Sequence, residues 1–114
     1  MSYAIGVTIA AREAIRAQAR YIAVESKSPK AAARWLRQVW DVIDGLAELP
    51  ARYTLAPESA FKTYEVRRAL AGKYLVLFTI NEEDRKVWVL GVRHGHRLPR
   101  PDDLPDTQPG NGDP

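Results

Sequence analysis

Arg67, Arg93 and His94 are the residues of this 114-residue chain whose types are best suited to chemistry. Histidine transfers protons near neutral pH, and arginine holds phosphate oxygens through paired hydrogen bonds. Glu65 could accept a proton from a hydroxyl group, and it shares a strand face with Arg67 because alternate residues point to the same side. These residues are the candidate catalytic group for metal-independent phosphodiester cleavage, in which cations stabilise the developing charge. The alternative is structural: His94 would cap a strand end and Arg67 would pair with Glu65.

A second group of residues is suited to binding. Three arginines recur every four residues and form a basic stripe on one face of a helix, which is either a solvated face or a contact surface. A tryptophan toward the flank of this stripe is a candidate interface aromatic, because aromatic and arginine side chains dominate protein interfaces. The residues predicted to contact a target or partner are Arg12, Arg16, Arg20, Trp40 and Arg97.

The sequence predicts neither a metal site nor a cofactor. His94 and His96 are two residues apart with no further ligands near them in the sequence, which is a weak metal pattern. The chain has no cysteine and no glycine-rich phosphate loop. The lack of cysteine and of an apolar leader predicts a cytoplasmic protein.

Charge divides the chain into two parts. Residues 1–97 carry 16 Lys/Arg against 10 Asp/Glu, a net +6, whereas residues 98–114 carry one Arg against four Asp, a net −3. A basic body of this kind favours an acidic partner, either a nucleic acid or an acidic protein segment. The acidic part also holds five of the eight prolines. We therefore predict a folded domain over 1–97 and an extended or disordered tail over 98–114.

The first half of the chain predicts one strand and two helices. Apolar residues alternate from Tyr3 to Ile9, as on a strand with one buried face. Helical spacing follows from Arg12 to about Lys27. Ser28 and Pro29 suit the start of a second helix, which should end before Pro50. The short break between the helices predicts an antiparallel helical hairpin.

The second half predicts a loop over 50–61 and three strands. The strands are expected at Lys62–Leu70, Lys73–Ile80 and Lys86–Arg93, joined by turns at Ala71-Gly72 and 81–84. The middle strand is apolar on both faces, which is typical of a strand covered on both sides. The order β-α-α-β-β-β predicts an α+β fold, with the helical hairpin packed on a twisted, mainly antiparallel four-stranded sheet.

Over about residues 3–97 the chain resembles the RelE/ParE toxin superfamily of type II toxin–antitoxin systems. The sequence motifs that carry the resemblance are Tyr64-Glu65-Val66-Arg67, Gly72-Lys73-Tyr74 and Val92-Arg93-His94-Gly95-His96-Arg97. The resemblance implies the fold predicted above and a cognate antitoxin protein that neutralises the toxin. RelE-like members cleave mRNA in the ribosome, whereas ParE-like members poison DNA gyrase.

Two positions favour the ParE-like branch. Leu75 stands where the ribonuclease branch typically has a phosphate-binding Arg, and Gly95 follows His94 where that branch has an aromatic or second catalytic residue. Our leading hypothesis is a cytoplasmic, non-enzymatic toxin that inhibits growth by binding an essential target such as gyrase. The alternative is a ribosome-dependent mRNA endonuclease that uses Arg67, Arg93 and His94. A third possibility is a binding module that no longer harms cells.

Overall fold

The computed structural model describes residues 2–110. Its strands and helices are β1 (Ala4–Val7), α1 (Ile9–Ser26), α2 (Pro29–Gly45), β2 (Arg67–Ala71), β3 (Tyr74–Asn81) and β4 (Lys86–His94). Short 3-10 turns lie at Pro50–Arg52, Pro57–Phe61 and Pro101–Asp103. The predicted element order is confirmed. Neither of the two helices in the described part of the chain is long and apolar enough to cross a bilayer.

Side-chain caps decide where the two helices begin. The Thr8 hydroxyl accepts a hydrogen bond from the Ala11 amide at 3.0 Å, so α1 begins at Ile9, three residues before the predicted start. The Ser28 hydroxyl accepts from the Ala31 amide at 3.1 Å, and Pro29 occupies the first position of α2 as predicted. Between the helices only Lys27 adopts a left-handed conformation, which reverses the chain into the predicted hairpin.

The sheet has the strand order β1-β4-β3-β2. Strand β1 pairs in parallel with β4, while β3 pairs antiparallel with both β4 and β2. The predicted, mainly antiparallel sheet is confirmed, with one parallel pair at its edge. The parallel pair brings the start of α1 beside the end of β4, because β1 leads directly into that helix.

The second predicted strand is wrong in its first half. We expected it over Lys62–Leu70, but the sheet pairing of β2 begins at Arg67. The backbone of Val66, just before β2, bonds to the preceding loop instead of pairing with the backbone of β3. The Val66 amide donates to the Ser59 hydroxyl at 2.9 Å, and the Val66 carbonyl accepts from the Ala56 amide at 2.7 Å.

Apolar residues pack on both faces of the sheet. The helices cover the inner face, where the buried core includes Ile15, Val39, Ile43, Phe78 and Val89. A second cluster on the outer face includes Val66, Leu75, Leu77, Trp88 and Leu90. The prediction that the central strand is covered on both sides is therefore confirmed.

One extra residue in β4 changes which side chains share a face. Phe78 pairs with Val89 and Leu77 pairs with Gly91, so Leu90 is a bulge with no partner of its own. Because side chains alternate along a strand, this insertion exchanges the two faces for the rest of β4. The last residues of β4 consequently point to the sides opposite to those that strict alternation would give.

Residues 98–110 run along the outer face of the sheet. Leu104 is buried in the outer cluster, and its carbonyl accepts a hydrogen bond from the Lys62 ammonium at 3.0 Å. The Tyr64 hydroxyl donates to the Pro105 carbonyl at 2.5 Å. The Gln108 amide donates to the Thr79 hydroxyl at 2.8 Å. The segment for which we expected an extended or disordered chain thus lies against the sheet up to residue 110 and includes the turn at Pro101–Asp103, while 111–114 lie outside the described residues.

We expect alkaline pH to weaken the attachment of this segment at Tyr64. Burial, together with the negative charge of Asp106, raises the pKa of Tyr64 from 10.0 to about 12. Between these pH values the hydroxyl is ionised in the unfolded chain but neutral in the folded one. The contribution of Tyr64 to the free energy of unfolding is therefore fully present below pH 10.0 and is lost as the pH rises toward about 12.

Urea denaturation on either side of this pH window measures the effect. The control is Tyr64→Phe, which lacks the titrating hydroxyl and should lose less stability across the same window. An identical loss in both proteins would contradict the assignment.

Candidate functional site

His94 lies in an aromatic row beneath the helical hairpin. It pairs with Tyr74 across the sheet, and the two rings meet edge to face with centroids 5.0 Å apart. Trp35 of α2 is buried and also meets the Tyr74 ring edge to face, with centroids 5.1 Å apart. Gln18 of α1 donates a hydrogen bond to the Tyr74 hydroxyl at 2.6 Å. Residues from both helices and two strands therefore position His94.

The hydroxyl of Tyr74 is held in its neutral form. Burial raises its pKa, and the positive charge of Arg97 partly offsets this shift. A neutral phenol that accepts from Gln18 keeps its own hydrogen available for donation. The Tyr74 hydroxyl can therefore donate a hydrogen bond to an acceptor that lies beside His94.

The imidazole of His94 is oriented by the backbone that follows it. Its Nδ1 accepts a hydrogen bond from the His96 amide at 3.1 Å, which leaves Nε2 to carry the hydrogen of the neutral ring. Nε2 is then a donor, and it can accept a proton only if the tautomer changes. The His96 ring lies exposed with its centroid 5.2 Å from that of His94.

A hydrogen bond from Gly95 joins the end of β4 to the turn between β2 and β3. Its amide donates to the Lys73 carbonyl at 2.8 Å. A Cβ atom at this position would come within 3.2 Å of the same oxygen. A larger residue after His94 would therefore require the Lys73 carbonyl to shift by a few tenths of an ångström, which gives a structural reason for glycine here.

Arg93 forms a buried ion pair with Glu58. The Arg93 Nε lies 2.7 Å from Glu58 Oε2, and the Arg93 Nη2 lies 3.3 Å from Glu58 Oε1. The exposed fractions of the side chains are 9% for Arg93 and 1% for Glu58. A third guanidinium nitrogen donates to the Arg97 carbonyl at 2.8 Å. The Arg93 side chain therefore binds the 57–61 turn and the residues after β4 to each other.

Arg67 anchors the loop that precedes β2. Its guanidinium donates to the Tyr53 carbonyl at 2.6 Å and pairs with Glu65 at 3.2 Å. The Glu65 carboxylate is exposed, so this pair alone contributes little to stability. The contacts are those of the structural alternative considered for Arg67.

The three candidate catalytic residues do not come together. Arg67 pairs with Phe78 and faces the helices, whereas Arg93 pairs with Leu75 and faces the outer side of the sheet. His94 shares the inner face with Arg67, but it pairs with Tyr74 at the start of β3, four residues or about 13 Å along the strand from Phe78, the partner of Arg67. His94 instead contacts the Tyr74 ring, the His96 amide and the Arg97 amide, which donates to the His94 carbonyl at 3.0 Å. No single substrate phosphate could contact both arginines in this arrangement.

Four of the five predicted binding residues lie on the two helices, and the fifth follows β4. Arg12, Arg16 and Arg20 are exposed on α1, and the Arg12 guanidinium lies 5.6 Å from the centre of the half-buried Trp40 ring. This contact joins the arginine stripe to α2. Arg97 is exposed after the end of β4. Their contact with a target stays a prediction.

A pocket of about 260 Å³ opens where the end of β4, the start of α1 and the C-terminal segment meet. Its walls are mainly aliphatic, and charged side chains surround it. The residues that line it include Ala10, Ala14, Glu58, Leu77, Leu90, Gly91, Arg93, Arg97, Leu98, Arg100, Asp103 and Leu104. Sequence analysis missed this pocket. Glu58 lies in a proline-containing loop without periodicity, and no local pattern shows that it pairs with a residue 35 positions later.

Comparison with solved structures defines the class of fold. The chain is similar to the toxin–antitoxin complex RelBE2 from Mycobacterium tuberculosis, with 23% identity, coverage of 82% of this chain and 99% of that chain, and a TM-score of 0.58. It is also similar to the archaeal RelE–RelB complex from Pyrococcus horikoshii OT3, with 18% identity, coverage of 86% and 100%, and a TM-score of 0.55. These likenesses show a RelE-like fold.

The family follows from the sequence itself. The model of the ParE toxin of type II toxin–antitoxin system, parDE, matches residues 5–99. This chain therefore belongs to the ParE toxin family, and the resemblance to the RelE/ParE superfamily is confirmed. No curated protein matches it.

Proposed function

We propose that this ParE-family toxin inhibits growth by binding DNA gyrase, without cleaving nucleic acid itself, and that a cognate antitoxin holds it inactive. The family model over residues 5–99 supports the toxin assignment. Poisoning of gyrase is what resemblance to the ParE-like branch implies. The two similar solved structures are complexes of a toxin with its antitoxin, which supports an antitoxin partner for this chain.

The observation that carries the binding hypothesis is the separation of Arg67 from Arg93. They lie on opposite faces of the sheet, and each is held by protein groups. Leu75 is 4% exposed within the outer core and cannot hold a phosphate. Cleavage of RNA without a metal needs cations and proton-transfer groups at one phosphate. The geometry therefore favours recognition of a target over catalysis.

The exposed cations offer a surface for that recognition. Arg12, Arg16 and Arg20 lie in one exposed stripe, with Trp40 beside it. Arginine and tryptophan are enriched among the residues that contribute most to protein interfaces. The net +6 of residues 1–97 would increase the rate of encounter with an acidic partner.

A gyrase cleavage assay tests this function. We expect the purified chain to make linear DNA accumulate when gyrase acts on a supercoiled plasmid with ATP. Changing Arg12, Arg16 and Arg20 together to glutamate should reduce this accumulation by at least about tenfold, because it reverses the charge of the stripe. Changing the exposed Lys30, Arg34 and Arg37 of α2 to glutamate is the control, because it alters the net charge by the same six units. Growth arrest in cells whose gyrase is unaffected would contradict the assignment to gyrase.

The contact of His94 with Tyr74 favours one alternative, an mRNA endonuclease. Its catalytic group would be His94 with Tyr74 and Arg97, and Arg67 and Arg93 would take no part. Primer extension on translated messages would then show new ends that disappear with His94→Ala. New ends that require His94 would replace the gyrase proposal, whereas toxicity that survives His94→Ala unchanged would exclude the nuclease.

Unhindered growth on strong expression without any antitoxin would favour a non-toxic binding module.

A further inference from the structure

We propose that the pocket between β4, α1 and the C-terminal segment is a docking site for the antitoxin. Its occupant would be a bulky apolar side chain next to a carboxylate in the antitoxin chain. This inference rests on the proposed function, and it adds the place and the chemistry of the contact.

The size of the pocket favours a side chain as its occupant. A volume of about 260 Å³ lies below the roughly 300–1,000 Å³ that is typical of small-molecule sites. Leu77 and Leu90 form part of its wall, and Ala10 and Ala14 of α1 leave room because their side chains are small. One leucine-sized or aromatic anchor fits such a space. Anchors of this type supply most of the binding energy at protein interfaces.

The charges around the pocket favour an acidic neighbour for that anchor. Arg97 and Arg100 are exposed beside it, and the Arg97 guanidinium has no hydrogen bond or ion pair among the described residues. Arg100 contacts Asp103 at 3.3 Å, but both side chains are mostly exposed, so the pair can exchange partners at low cost. Arg93 is neutralised by Glu58 and stiffens the wall. A carboxylate next to the anchor would therefore meet two available cations.

An apolar rim completes the interface. Leu98 is 83% exposed at the edge of the pocket, and Ile9 is exposed at the start of α1, the helix that supplies Ala10 and Ala14 to the wall. Exposed apolar side chains around an anchor pocket exclude water when a partner binds. An extended or helical segment could cover this rim while its anchor enters the pocket.

Part of the pocket lies beyond the matched family domain. The family match ends at residue 99, while Arg100, Asp103 and Leu104 line the pocket. The C-terminal segment is held in place by Lys62 and Tyr64, so these lining residues have defined positions. The site would then help this toxin to distinguish its own antitoxin from those of related pairs.

Substitution of Gly91 tests the pocket from within. A Cβ added at Gly91 would contact only Leu104, at 3.8 Å, so Gly91→Ala is compatible with the fold. The longer side chain of Gly91→Leu would occupy the pocket itself. The probe is the full-length product of the open reading frame adjacent to the gene, titrated against the full toxin chain by calorimetry. We expect Gly91→Leu to weaken binding by at least about 30-fold and Gly91→Ala to have a much smaller effect.

Substitution at the rim keeps the test independent of folding. Leu98→Asp replaces an exposed apolar side chain with an acid, so it should leave the thermal midpoint unchanged and weaken binding by about tenfold. The matched control is Leu70→Asp, at a leucine that is 72% exposed on β2 and is not among the residues that line the pocket. Affinities that are equal for the unaltered chain, Gly91→Leu and Leu98→Asp would overturn the pocket and leave the proposed function standing. If the unaltered chain does not bind the probe, this result would contradict the proposed antitoxin partner and therefore also the proposed occupant of the pocket.

Discussion

Replacing Glu58 with alanine is expected to lower the free energy of unfolding by about 3–5 kcal/mol. Glu58 is almost fully buried and accepts two hydrogen bonds from Arg93. Its removal leaves the Arg93 guanidinium buried without a counter-charge, which costs more than the loss of the pair itself. Urea denaturation followed by circular dichroism measures the change.

Two further variants separate this effect from ordinary loss of packing. Glu58→Met combined with Arg93→Met removes both charges and keeps most of the volume, so it should recover most of the lost stability. Glu65→Ala removes the exposed partner of Arg67 and should cost no more than about 1 kcal/mol. If Glu58→Ala is as mild as Glu65→Ala, then the ion pair does not hold the loop against the sheet.

Replacing Leu104 with alanine is expected to lower the free energy of unfolding by about 2–5 kcal/mol. Leu104 is 6% exposed and packs with Leu77 and Leu90 in the outer cluster. Its loss leaves a cavity under a segment that is otherwise held mainly by hydrogen bonds to Lys62 and Tyr64. The C-terminal segment should then be cleaved faster by a protease while the rest of the chain stays folded.

Leu98→Ala is the matched control for this prediction. It is the same substitution in the same segment, but Leu98 is exposed, so stability should change by less than about 0.5 kcal/mol. Equal effects at both positions would mean that the segment does not lie on the sheet as described.

Most of the fold could be predicted from local patterns. Helical spacing and the Ser28-Pro29 start predict α2, because capping and apolar periodicity act within a few residues. The apolar run of β3 predicts a strand covered on both faces. The strand ending at His94–Arg97 indicates the superfamily, which the match to the ParE toxin family confirms.

The arrangement of the candidate site could not be predicted in this way. Strict alternation along β4 would place Arg93 on the inner face with Arg67, and the bulge at Leu90 reverses this. A bulge depends on the pairing of two strands, so it has no counterpart in the local sequence. The partner of Arg93 is also remote, since Glu58 comes from a loop that has no periodicity.

The sequence by itself determined the order of the elements, the superfamily and the residue types available for chemistry. These properties depend on neighbours within about one helical turn or one strand. Only the tertiary structure decided that Arg67, Arg93 and His94 are separated and that residues 98–110 cover the outer face of the sheet. Strand register and long-range burial have no local signal, because they are set by which distant surfaces together exclude water.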